Sequence, residues 1–173
     1  MGKITVYGAG SWGTATADLL ARGGHQTTLW CRRLEQARAI NATGRNPDYL
    51  RDVDLSPALS ATSDLEEAAL SSQLHVTAVP TQSIREFLTG AARYWPRDRR
   101  ICNLAKGIEI ASGERISRIV AEILPESRYS VLSGPSHAEE VAAGKPTAVV
   151  VASSIAGESE LWQEIFSGRL FRV

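Results

Sequence analysis

The sequence has no excess of charge of either sign: Lys plus Arg and Asp plus Glu number 19 each, a formal net charge of zero. That balance gives no long-range field to attract nucleic acid or an anionic membrane, so any preference for an anion must be local. Cysteine is scarce. The two present, Cys31 and Cys102, have neither metal-ligand spacing nor a disulfide framework, which fits a reducing compartment, and both read as small apolar strand residues. No apolar run is long enough to span a bilayer, and the first residues enter a strand-like run where a signal peptide would place its apolar segment. The expectation is a cytoplasmic protein with no nucleic-acid partner and no membrane insertion. His25 and His75 have no partner at useful spacing and are assigned no catalysis, and no metal site is expected.

What the sequence does contain is alternation. Short β-branched or apolar runs alternate with longer amphipathic ones, which argues for an α/β domain with a mostly parallel sheet. At 173 residues the chain suits one domain of moderate size. Strands are expected at Lys3 to Tyr7, Gln26 to Cys31, Leu59 to Thr62, Leu74 to Val79, Arg99 to Leu104, Tyr129 to Leu132 and Thr147 to Val151, with the start of another at Leu170. Helices are expected at Ser11 to Arg22, Leu34 to Thr43, a short one through Leu70 capped by Ser63 or Asp64, Gln82 to Tyr94, Gly113 to Leu124, one opened by Ser136, and Gly157 to Phe166. The charged Arg97 to Arg100 segment reads as a solvated turn.

Gly8-Ala9-Gly10-Ser11-Trp12-Gly13 lies between the first strand and the first helix. In that setting the three glycines do different things. Gly8 permits a tight turn, Gly10 lets the backbone approach a pyrophosphate, and Gly13 lets helix and strand pack closely. The free amides and positive dipole end of the helix would then face the phosphates. Arg32 and Arg33 directly follow the second strand, where a dinucleotide fold meets the adenosine ribose. No carboxylate occurs there until Glu35, so arginine clamping of a 2'-phosphate favours NADP over NAD, against the plainer reading of a solvated basic pair.

Three further strand ends fall on the same edge of the sheet. Pro80 is either a cofactor contact or an ordinary strand terminator. Lys106, between Ala105 and Gly107, emerges at that rim and could bind an anionic substrate or polarise a carbonyl oxygen, or be an exposed loop lysine. Ser133-Gly134-Pro135-Ser136-His137 is a strand end and helix start in which Ser136 can serve as N-cap, with Glu139 completing a capping box.

The sequence resembles the amino-terminal part of bacterial-type, NAD(P)-dependent glycerol-3-phosphate dehydrogenases. The likeness rests on the glycine turn, Arg45-Asn46-Pro47-Asp48-Tyr49-Leu50, Ala78-Val79-Pro80, Ala105-Lys106-Gly107, Leu132-Ser133-Gly134-Pro135-Ser136 and Ala138-Glu139-Glu140-Val141, in order along nearly the whole chain. It implies a Rossmann-type, doubly wound α/β domain and reduction of dihydroxyacetone phosphate to sn-glycerol 3-phosphate with NADPH or NADH, for phospholipid synthesis. It also implies that Ser11 and Trp12 contact the cofactor, Lys106 both cofactor and substrate, Gly134 and Ser136 the substrate, and Ala138 the cofactor. His137 stands where an aromatic residue such as Phe is expected in relatives. Family members continue with a helical second domain carrying a catalytic lysine in a Leu-Lys-Asn type motif, and no such motif occurs here. Residues 1–173 are therefore expected to form the cofactor domain alone, with Lys106 the candidate general acid and slow or no turnover, the full-length form being a homo-oligomer. Two other readings stay open: a stand-alone NAD(P)H-sensing module, and another two-domain reductase acting on a 2-oxo acid or a sugar acid.

Overall fold

A computed structural model describes residues 2–173 of the chain. The first half runs β1 (Lys3–Tyr7), α1 (Ser11–Arg22), β2 (Gln26–Trp30), α2 (Leu34–Thr43), β3 (Leu59–Thr62), α3 (Leu65–Leu70), β4 (Leu74–Thr77) and α4 (Ile84–Ala91). The second runs β5 (Arg100–Asn103), α5 (Ile116–Ile123), β6 (Arg128–Ser133), α6 (Ala138–Ala142), β7 (Thr147–Ala148), β8 (Val150–Ser153), α7 (Glu158–Phe166) and β9 (Phe171–Arg172). Seven strands form one sheet in the order β3-β2-β1-β4-β5-β6-β8, parallel except for β8, which runs antiparallel on β6. The chain winds outward from β1 to β3 and then returns to lay β4 on the other side of β1. The crevice for a ligand in such a sheet lies at that reversal, against the carboxyl ends of β1 and β4.

Alternation along β1 sets the two cores. Ile4 and Val6 face a cluster with buried residues of α1, α2, α6 and α7, while Tyr7 faces one built by α3, α4 and α5. α4 shows why its sequence is helical: Ile84, Phe87, Leu88 and Ala91, spaced i, i+3, i+4 and i+7, are the buried residues. The second core holds a polar centre. Trp95 Nε1 donates to Tyr7 Oη at 2.8 Å, and that oxygen lies 3.0 Å from Nδ1 of His75, whose ring stacks on Trp95 at 4.7 Å. Burial, with the nearby Arg99 charge adding to it, pulls the His75 pKa down to about 3, so this histidine is neutral and structural.

Several expected elements are trimmed or divided. The second, fourth and fifth strands end earlier than expected, at Trp30, Thr77 and Asn103, where pairing gives way to the turns of the open edge. Gln82 to Tyr94 is divided into a 3-10 turn at Thr81–Ser83 and the shorter α4. Gly113 to Arg115 does not begin a helix, because Ile108 and Arg115 form an antiparallel bridge across the loop. Thr147 to Val151 is not one strand: β7 pairs with β9, and β8 returns to the main sheet. Asp64, not Ser63, caps α3, accepting from the amides of Glu66 and Glu67. Ser136 caps nothing. His137 holds the N-cap position of α6 without a side-chain bond, so the capping box is not formed. Arg99 is 5% exposed, which corrects the solvated-turn reading at that residue. Cys31 and Cys102 are buried free thiols, as expected, and burial pushes Cys31 up to about 12.

Candidate functional site

The glycine turn shows why each of its glycines is there. Gly8 has a φ of +103°, and a Cβ on it would sit 2.8 Å from the carbonyl oxygen of Ala78 on the neighbouring strand end. A Cβ on Gly13 would sit 1.8 Å from the carbonyl oxygen of Gly8, so α1 can approach β1 only with hydrogen at that position. Gly10 differs from both. Its φ is −76°, and a Cβ on it would meet nothing within 4 Å. The folded chain does not require glycine there, and the space a side chain would fill stands open against the backbone.

The helix behind this turn, α1, has no side-chain cap. Its first amides have no intrahelical acceptor and carry the positive end of the dipole, so Ser11, Trp12 and Gly13 offer donors to an anion. Two amide side chains hold the turn from below. Asn46 is 0% exposed, and its Nδ2 donates to the Ala9 carbonyl at 3.1 Å and to Thr14 Oγ1 at 2.8 Å. Gln36 Nε2 donates to the same Ala9 carbonyl at 3.0 Å and to Asn46 Oδ1 at 3.1 Å. Because a trans peptide is planar, fixing the Ala9 C=O toward these two side chains turns the Gly10 N–H away from them. Sequence reasoning gives neither residue a role, although Asn46 lies within one of the motifs.

A cleft of about 440 Å³ runs from this turn between the ends of β1, β2 and β4. It brings together Gly8, Gly10, Arg32, Arg33 and Pro80 of the expected site and adds Tyr49 and Phe87. Hollows of about 570 and 650 Å³ lie elsewhere but are lined by no expected site residue, so size alone does not locate the site. Arg33 is not free: its guanidinium pairs with the Asp48 carboxylate. Along the sequence the next acid is Glu35, whereas the fold brings one from the loop after α2.

Lys106, Gly134 and Ser136 line a different part of the same edge, at the ends of β5 and β6. Lys106 Nζ donates to the Gly134 carbonyl at 2.9 Å, and the Ser136 amide donates to the same oxygen at 3.0 Å. The Lys106 carbonyl accepts from Thr81 Oγ1 at 2.7 Å, tying the lysine to the turn after Pro80. Next along this loop, buried Glu109 is bonded by Arg85 and Ser112, which hold its carboxyl below the usual carboxylate range. Gly134 has a structural reason of its own, since a Cβ there would come within 2.9 Å of Val149. Ala138 is 8% exposed and belongs to the core where α6 packs on α1. Three strand spacings separate β1 from β6, roughly 14 Å. A ligand reaching both parts must therefore be long.

The family described as NAD-dependent glycerol-3-phosphate dehydrogenase N-terminus matches residues 3–158. The chain belongs to this family. A relative from Chlorobium phaeobacteroides named glycerol-3-phosphate dehydrogenase (NAD(P)+) is 45% identical over 99% of this chain and 52% of its own length. One of the same name from Carboxydothermus hydrogenoformans is 46% identical, over 99% and 52%. Among solved structures, glycerol-3-phosphate dehydrogenase from Coxiella burnetii superposes with a TM-score of 0.94 at 34% identity, covering 99% of this chain and 53% of that one. The chain thus spans about half the length of the glycerol-3-phosphate dehydrogenases it matches. A ketopantoate reductase from Ralstonia eutropha, at 19% identity and a TM-score of 0.71, shares the fold alone. No helix among the described residues is long and apolar enough to cross a membrane.

Proposed function

We propose that this chain binds NADPH or NADH along the open edge of its sheet, as the cofactor-binding part of an enzyme that reduces dihydroxyacetone phosphate to sn-glycerol 3-phosphate. The observation that carries this reading is the contrast within the glycine turn, where Gly13 is demanded by the chain and Gly10 by nothing in it. A diphosphate would rest over Gly10 on the first amides of α1, with Arg32 and Arg33 at the adenosine end and the nicotinamide end directed toward Lys106. The bound cofactor supplies the hydride. Ser11, Trp12 and Ala138 contact the cofactor, and Pro80 bounds its cleft.

On the substrate side, Lys106 presents an ammonium held by Gly134 and Thr81. That group would bind the phosphate or the carbonyl oxygen of the substrate beside Gly134 and Ser136. A general acid must sit within hydrogen-bond reach of the carbonyl oxygen as hydride arrives. Lys106 is the candidate on this edge, and its bond to a main-chain carbonyl favours anchoring the substrate over proton delivery. Residues 1–173 are therefore proposed to bind cofactor and to turn over slowly or not at all by themselves.

The test joins binding and turnover on this chain. Nicotinamide fluorescence should report saturable NADPH binding, and glycerol 3-phosphate should change that affinity through its contact with Lys106. Turnover of dihydroxyacetone phosphate at about ten per second or more would contradict the division of labour. Failure to bind either dinucleotide would sink the reading as a whole.

A further inference from the structure

Arg32 and Arg33 line the same cleft but are not equivalent. Arg32 makes no ion pair among the described residues, whereas Arg33 Nη2 donates to Asp48 Oδ2. Asp48 is not a drifting surface acid. Its amide donates at 3.1 Å to Oδ1 of the fully buried Asn46, the same side chain that holds the glycine turn, so the carboxylate sits on a fixed loop beside the cleft. The Arg33 side chain is 54% exposed and that of Asp48 33%; Arg33 lines the cleft, and Asp48, bonded to it, is the neighbour of the cleft residue Tyr49.

A carboxylate in that place acts on a ribose phosphate in two ways. It engages one nitrogen, Nη2, of the guanidinium that would otherwise grip the phosphate oxygens, and its own charge opposes theirs. A ribose hydroxyl feels neither effect strongly. Resting on the cofactor reading above, we propose that Asp48 is a specificity-determining residue: by holding Arg33 it leaves the 2'-phosphate to Arg32 and brings the affinities for NADPH and NADH closer together. The dual cofactor use printed in the relatives' names would then follow, in this chain, from one free arginine and one that is tied.

The experiment is a fluorescence titration of residues 1–173 with NADPH and NADH, for the natural chain, Asp48→Asn, Arg33→Ala and the double variant. Asp48→Asn keeps the backbone amide that bonds Asn46, and its unfolding midpoint verifies that the loop is intact. The preference for NADPH over NADH should rise about three- to ten-fold at low ionic strength, with the gain shrinking as salt is added. Most of the gain should vanish when Arg33→Ala is combined with it. A preference unmoved by Asp48→Asn overturns the proposal, as does a gain that persists in full without Arg33, which would assign the effect to repulsion alone. If the natural chain binds neither dinucleotide, the cofactor reading fails and this inference with it; binding with an unmoved ratio removes only the inference.

Discussion

The two ends of the proposed site are built differently. At the glycine turn, backbone meets backbone across Gly8, Gly13 and Ala78, and a wholly buried Asn46 pins the turn from beneath. At the Lys106 end, two exposed hydrogen bonds, from Thr81 to its carbonyl and from its Nζ to Gly134, hold the lysine, while the loop beyond it is fixed farther along by Arg85 on Glu109. The first arrangement fits a group bound the same way in every complex, the diphosphate. The second leaves a side chain free to exchange a main-chain carbonyl for a substrate oxygen at little cost. Rigidity belongs where binding is invariant, and the weaker contacts belong where partners change.

The comparison is broken most severely at Gly13. Gly13→Ala places a methyl 1.8 Å from the Gly8 carbonyl and should destabilise the chain by about 3 kcal/mol or more, seen as a lower urea midpoint. Gly10→Ala, in open space at φ −76°, is the contrasting case. It should fold within about 1 kcal/mol of the natural chain yet bind NADPH at least about ten-fold more weakly. Asn46→Ala comes next. It strips a buried network that holds Ala9 and Thr14, for an expected loss of about 2–4 kcal/mol by urea unfolding.

A fourth test separates the site from the core beneath it. His75 titrates near 3 when folded and near its ordinary 6.5 when unfolded, so between those values the unfolded chain binds more protons. Stability should be complete above about pH 6.5 and fall with acid by at most about 1.4 kcal/mol per pH unit from this group. His75→Gln should flatten that slope whatever its effect on overall stability, and an unchanged slope would contradict the neutral assignment. The smallest effect is expected at the loosely held end, where Thr81→Val should cost only about 0.5–1 kcal/mol and alter the response to glycerol 3-phosphate more than NADPH affinity.

The rigid end is also the more legible in sequence, because its signal is local. A strand, three spaced glycines and a helix follow one another between Lys3 and Arg22, and each constrains the next. The alternation of strands and helices is legible for the same reason. What pins the turn is not, since Asn46 bonds residues 37 and 32 positions away and looks in sequence like the start of an ordinary Asn-Pro turn. Asp48 is hidden as the partner of Arg33 because the contact spans the whole of α2. Ser136 shows the opposite error: a locally favourable cap that the fold does not use, because α6 begins at Ala138 and His137 takes the N-cap position. The resemblance gives Gly134 to a substrate, while its tight contact with Val149 comes from a segment whose β-branched run reads as a single strand and folds as two.

Backbone amide resonances of the chain, followed as NADPH is added, test the central claim most directly. The signals of Gly10, Ser11 and Trp12 should show the largest displacements and saturate together, with those near Arg32 following the same curve. Saturation with these three amides unmoved, or no displacement anywhere at millimolar NADPH, would contradict a diphosphate seated on the first turn of α1.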